Sequence, residues 1–182
     1  MNDERRPTEP DSHVPEARVD DIRFGIVELT VDPEQGRMAV TGPKLPPVSL
    51  RRSAGTDSDR RSPIGTRAPA RLELVIDGAV VAVDPGLGFV SRRSRRVDVR
   101  YDGRYYRLTP TADDRSTLLR DDHRIGEFVL SPRTVAGADW DVESQIAPVE
   151  AALGYVLAAA FGVGAPGFVK SAIGAGTVAP PF

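Results

Sequence analysis

Residues 151–169 carry no charged side chain, and this run constrains the fold more than any other feature of the chain. Pro148 suits a first helical position, and Glu150 is well placed beside the positive N-terminal end of a helix dipole. Val149, Ala152, Leu153, Val156, Leu157, Ala160 and Phe161 recur at helical spacing. The opposite face, with Ala151, Gly154, Tyr155, Ala158 and Ala159, is not polar either. The spacing predicts a helix over about 148–163, stopped by Gly162 or Gly164 with Pro166 just beyond. A helix that is apolar all round has to be buried, in protein or in lipid. At about 1.5 Å per residue this one spans roughly 24 Å, short of the roughly 30 Å hydrocarbon core of a bilayer. Much of the run is alanine, and no arginine or lysine cluster flanks its start. Burial in protein is therefore the expectation, and a membrane anchor is the alternative.

Strand hairpins precede that helix. Residues 71–76 and 79–83 alternate apolar and polar side chains around Asp77-Gly78, and residues 96–101 and 104–108 do so around Asp102-Gly103. Asp-Gly between two such runs is a strong hairpin signal, because a type I′ turn needs positive φ at both central positions. Residues 116–120 and 124–130 flank a less ideal Asp121-Asp122-His123 turn. Further strands are expected over 22–31, 37–41 and 134–142, the last carrying Trp140, with short ones near 48–50 and 87–90. The prolines, glycines and polar residues of 42–70 read as a long loop. Residues 1–20 are acidic and bear prolines, so they read as a disordered tail, and 171–182 as a flexible one.

Antiparallel strands that must enclose an apolar helix have few solutions. Closure removes sheet edges, so a closed antiparallel β-barrel of about 10–12 strands around the helix is expected over residues 21–170. Two sheets sandwiching the helix are the other solution. The segments Tyr101-Asp102-Gly103-Arg104-Tyr105-Tyr106-Arg107-Leu108 and Leu118-Leu119-Arg120-Asp121-Asp122-His123-Arg124-Ile125-Gly126, followed by the apolar helix at 149–168, resemble the tubby, LURP-one and phospholipid-scramblase superfamily. The resemblance covers residues 22–169 in order of elements and implies a barrel closed around a buried C-terminal helix. It carries no calcium-site or palmitoylated-cysteine pattern, so scramblase activity is not implied.

Several kinds of chemistry are excluded by composition. The 182 residues contain no cysteine and only His13 and His123, which leaves no thiolate zinc site, cysteine nucleophile or histidine-rich metal centre. No cofactor is expected. A formal net charge of -2 is unlike that of a bulk nucleic-acid coat, so nucleic acid is not the expected partner. The first residues lack the apolar segment of a secretory signal, so a cytoplasmic place is expected, peripheral at a membrane if lipid is bound.

What remains is a basic patch. Arg92, Arg93, Arg95 and Arg96 crowd together, and Arg100, Arg104 and Arg107 follow on predicted strands with Tyr101, Tyr105 and Tyr106 interleaved. Guanidinium groups bind phosphate oxygens bidentately, so these seven arginines are the candidate site for an anionic phosphate group. The resemblance directs that reading to phospholipid headgroups, in a binding module that is not an enzyme. Asp113, Asp114, Asp121, Asp122 and His123 are the weaker candidates, for a general acid/base pair or a metal site, with Asp121, Asp122 and His123 the set for a hydrolase, since acidic residues in β-turns serve turn geometry first. Gly162-Val163-Gly164-Ala165-Pro166-Gly167 matches a dinucleotide fingerprint in letters only, because it follows a helix instead of opening one.

Overall fold

The computed structural model describes residues 16–55, 62–88, 92–131 and 134–162. The fold is mainly β, with two antiparallel sheets and one helix. The first sheet is the meander β1 (Glu16–Asp21), β2 (Gly25–Asp32), β3 (Arg37–Gly42), β4 (Leu45–Arg52), β5 (Leu72–Ile76) and β6 (Ala79–Val81). The second is the meander β7 (Val83–Pro85), β8 (Val97–Tyr101), β9 (Arg104–Pro110), β10 (Arg115–Arg120), β11 (His123–Leu130) and β12 (Val135–Trp140). The helix α1 (Pro148–Phe161) follows. At the β5–β6, β8–β9 and β10–β11 turns both central residues have positive φ: Asp77 and Gly78, Asp102 and Gly103, Asp121 and Asp122. The third turn therefore uses the same backbone solution as the other two, with aspartate in the glycine position.

Several strand and loop expectations need correction. Residues 16–20 are not part of a disordered tail: they form most of β1, which pairs along its whole length with β2. Acidic residues on the solvent side hide their alternation, while Val19 and Asp21 point inward. Residues 1–15 and the expected tail at 171–182 lie outside the described residues. The loop at 42–70 is shorter than expected, because the short strand expected near 48–50 is the end of a longer one, β4, which takes up Leu45–Arg52 despite Pro46 and Pro47. Those two prolines stand opposite Thr41 where the β3–β4 register shifts, and β4–β5 pairing begins only at Val48. No ladder donor is needed at either proline, the one condition under which a strand tolerates them. The expected strand over 79–83 is divided at Ala82, where the chain leaves one sheet and enters the other. Of the short strand expected at 87–90, Leu87 and Gly88 lie in a loop and the rest lies outside the described residues.

The sheets pack face to face with α1 between them. The helix lies against β2, β3 and β4 on one side and β9, β11 and β12 on the other. Every helical residue from Glu150 to Phe161 is buried, so the apolar run is enclosed in protein over this span. The membrane-anchor alternative for residues 148–161 is thereby overturned, and no described helix is long and apolar enough to cross a membrane. Close packing is set by Gly154, where an added Cβ would lie 2.3 Å from Phe128 Cζ and 3.0 Å from Leu118 Cδ2. Phe24, Phe128, Trp140 and Tyr155 meet edge to face next to it, with ring centroids 5.1–6.3 Å apart.

A single closed ladder, as expected for a barrel, is not what the hydrogen bonds form. They divide into two six-stranded sheets, with no ladder joining β1 to β12. At that seam the contacts pass through side chains. Asp21, 4% exposed, accepts hydrogen bonds from Trp140 Nε1 (2.8 Å), Tyr155 Oη (2.7 Å) and the amides of Arg23 and Phe24 (2.8 and 3.0 Å). Arg23 donates to the carbonyls of Asp141 and Ser144. At the helix start, Glu150 accepts from Tyr106 Oη (3.0 Å), Arg120 Nη1 (3.0 Å) and the Ala147 amide (2.8 Å). Burial and these carboxylates push the Tyr155 and Tyr106 hydroxyls far above the usual phenol range, which keeps both as donors.

Candidate functional site

Because consecutive strands run antiparallel, the loops alternate between two ends of the molecule. At the entry end, where α1 begins, lie the turns after β1, β3, β5, β8 and β10. At the exit end, where α1 stops, lie the turns after β2 and β9, the 53–71 connection and the 86–96 loop. Backbone contacts fix the second group: the Ile64 amide donates to the Ala160 carbonyl (2.9 Å), and Arg52 reaches the carbonyls of Glu34 and Ile64. Ser62, Ile64 and Thr66 are buried there, so residues 62–66 of the long connection plug the exit end.

The seven arginines do not form one patch. Arg92 to Arg95 make a short 3-10 turn at the exit end. The side chains of Arg92 and Arg93 lie outside the described residues. The loop is braced from beneath by Arg67, which donates to the carbonyls of Gly86 (2.7 Å), Arg95 (2.7 Å) and Arg96 (3.2 Å). Gly86 is required for that approach, since a Cβ there would meet the Ser94 carbonyl oxygen at 2.4 Å. Arg95 Nε is 3.4 Å from the Gly88 carbonyl oxygen.

Arg96 and Arg107 converge on Asp98, at 2.9 and 2.8 Å. Burial alone would raise the Asp98 pKa, but hydrogen bonds from Arg107, Tyr105 and Arg96 outweigh it and hold the carboxyl below its usual value. Arg107 also donates to the Tyr105 hydroxyl and stacks its guanidinium over that ring. Arg100 also lies over that ring, 5.4 Å from its centroid. Arg104 is at the entry end, where it pairs with Asp121 at 3.5 Å. Register explains the division. Asp98 pairs with Arg107 and Arg100 with Tyr105 on the outer face of β8–β9, whereas Arg104 closes the hairpin.

The acidic candidates are dispersed as well. Asp113 and Asp114 precede β10, and Asp121 to His123 follow it. Six residues of strand separate them by roughly 17–20 Å. Asp121 Oδ1 accepts from the Tyr105 amide (3.0 Å), and its carbonyl oxygen is 2.9 Å from His123 Nδ1. No cluster of three metal-ligating side chains occurs among the described residues. Gly162, at φ 56°, ends the helix, and the rest of the glycine-rich segment lies outside the described residues.

Arg67 is invisible to sequence reading, since nothing marks a loop arginine as the support of another loop. Asp21 stands at the boundary of the acidic tail and is not singled out there, although an aspartate followed two and three residues on by amides to cap is an Asx-turn signal. An open cleft over the first sheet, lined by Arg18, Ile26, Glu28 and Thr41, is occupied in part by the Arg18–Glu28 ion pair (2.8 Å). Compared with protein-family models, with curated proteins and with solved structures, the chain matches none.

Proposed function

We propose that this chain is a non-catalytic binding module whose exit-end arginine turn holds an anionic phosphate group, on the headgroups of an acidic membrane surface. The observation that supports the reading is the braced loop: Arg67 spends its guanidinium on three backbone carbonyls beneath a turn that itself carries Arg92, Arg93 and Arg95. Crowded like charges destabilise a loop in water, and an anion bridging them relieves the repulsion. Arg96 and Arg107 share Asp98, Arg104 pairs with Asp121 and Arg100 lies over the Tyr105 ring, so these four are engaged within the protein. We further infer that the two sheets are the walls of one barrel of the tubby-like kind. In favour are the twelve strands, the single residue between β6 and β7, and the position of β1 beside β12 around a buried helix.

The test is sedimentation with phosphatidylcholine vesicles, with and without phosphatidylserine, at several salt concentrations. Binding should require phosphatidylserine and weaken with salt. Each arginine near an anionic surface contributes about 1 kcal/mol, so Arg92→Ala, Arg93→Ala and Arg95→Ala together should weaken binding about a hundredfold. Unchanged binding by the triple variant, with its fold intact by circular dichroism, would refute the site. Equal binding to pure phosphatidylcholine would refute the ligand class.

A further inference from the structure

The entry end presents two apolar side chains that the core does not use. Ile22, in the turn after β1, is 93% exposed, and Val142, in the connection from β12 to α1, is 87% exposed. Single exposed apolar residues are ordinary on a protein surface. These two, however, stand on segments locked to each other. Asp21, just before Ile22, accepts from the Trp140 indole. Arg23, just after it, donates to the carbonyls of Asp141 (2.8 Å) and Ser144 (3.0 Å), which bracket Val142. The Ser144 hydroxyl donates to the Asp141 carboxylate. The neighbours thus close the seam between the sheets, while Ile22 and Val142 are left in solvent. Both are β-branched and stiff at χ1, and the backbone beneath them is already fixed, so covering them costs little ordering entropy.

The charge around the pair decides what covers it. Asp20, Asp139, Asp141 and Glu143 stand on the same two segments. Of the nearby cations, Arg23 spends its guanidinium on carbonyls and Arg124 pairs with Asp139 at 3.5 Å. Asp20 and Glu143 are exposed and take part in no ion pair among the described residues. The aspartates of the type I′ turns, at 77, 102, 121 and 122, extend the negative field over the same end. A second copy docked through this face would set like charges against each other, and an anionic lipid surface would be repelled. We propose that Ile22 and Val142 are the anchors for a protein partner whose docking segment carries apolar side chains flanked by lysine or arginine. The face lies at the opposite end of the molecule from the arginine turn, so this interaction does not depend on membrane binding.

The probe is a fluorescein-labelled peptide of alternating leucine and lysine, followed by anisotropy with the full chain. A leucine–glutamate peptide and a serine–lysine peptide are the controls. The leucine–lysine peptide should bind, more weakly as salt is raised, and both controls should bind far less. Burying an isoleucine or valine side chain is worth about tenfold or more in affinity, so Ile22→Ser and Val142→Ser should each weaken binding by about that factor. Because neither side chain is in the core, the Tm of both variants should stay within about 2 °C of the parent. Asp20→Asn with Glu143→Gln should flatten the salt dependence. Undiminished binding by the Ile22→Ser, Val142→Ser double variant would overturn the site. Equal binding of the leucine–glutamate peptide would overturn the partner chemistry, and no binding of the leucine–lysine peptide to the parent would overturn both. A parent dimer in sedimentation equilibrium that Ile22→Ser dissociates would make a second copy the occupant and overturn the proposal. A Tm lowered by more than about 5 °C in either single variant would make the side chains structural, with the same consequence.

Discussion

Gly154→Ala isolates the packing of the helix against the second sheet. Judged by helix propensity alone, glycine to alanine in a helix interior stabilises by about 1 kcal/mol. Geometry opposes it, because the new methyl would stand 2.3 Å from Phe128 Cζ and 2.7 Å from Cε2, about 1 Å or more inside normal contact. Phe128 cannot swing away, since its ring lies edge to face with Trp140 at 5.4 Å and with Tyr155 at 5.1 Å. The helix cannot retreat either, as β3 and β4 are packed on its other side. Overpacking of this kind costs roughly 1–3 kcal/mol and more where nothing can relax, so a net loss of about 1–2 kcal/mol is expected. Urea unfolding should show a lower midpoint at constant slope, and Tm should fall by about 2–4 °C per kcal/mol. Phe128→Leu removes the two clashing ring atoms, so the double variant should lose less than the sum of the singles, by about 1 kcal/mol or more. A Gly154→Ala protein more stable than the parent, with strictly additive behaviour in the double variant, would refute the argument.

Three further outcomes are expected from the buried and bracing polar contacts. Asp21→Ala leaves the Trp140 indole and the Tyr155 hydroxyl as buried unpaired donors, and should cost about 3 kcal/mol in urea unfolding, with Asp21→Asn costing less. The Asp98 pKa lies below the ordinary 3.8, so its ionised form stabilises the fold above that pH, and this contribution is lost as pH falls through the folded pKa. Asp98→Asn should therefore lose stability at neutral pH and show a flatter acid limb in Tm against pH; parallel limbs would contradict the ion triad. Arg67→Ala removes the brace under the 86–96 loop, so trypsin should cut after Arg92 or Arg93 faster than in the parent while global Tm changes little.

Much of the strand succession is legible because its signals are local. Asp77-Gly78 and Asp102-Gly103 state a turn that only positive φ satisfies, and the flanking alternation states which face is inward. The helix is legible for a similar reason, with Pro148 at its start and Gly162 at its stop. β1 escapes such reading because its outward residues are Glu16, Arg18 and Asp20, a composition shared with unfolded chains. The first half of β4 escapes it, although a short strand near 48–50 is legible, because its prolines read as breakers, and only the register with β3 shows that no amide donor is wanted there.

For the candidate site the balance is different. The arginines are legible as charges, but their grouping is not. Strand direction separates Arg104 from Arg96 by the length of β8, and register hands Arg107 to Asp98. Neighbourhood along the chain is thus a poor guide to neighbourhood in space once strands alternate direction.

By itself the sequence determined a chain of hairpins and an apolar helix that had to be covered, because turn chemistry and hydrophobic periodicity act over a few residues. Only the tertiary structure decided that two six-stranded sheets cover it, that Asp21 and Glu150 are the buried carboxylates pinning it, and that Arg67 ties its end to the arginine turn. Those outcomes depend on contacts between residues as much as 134 positions apart. Pairings at that range come from closing the whole chain around one core, and no local pattern encodes them.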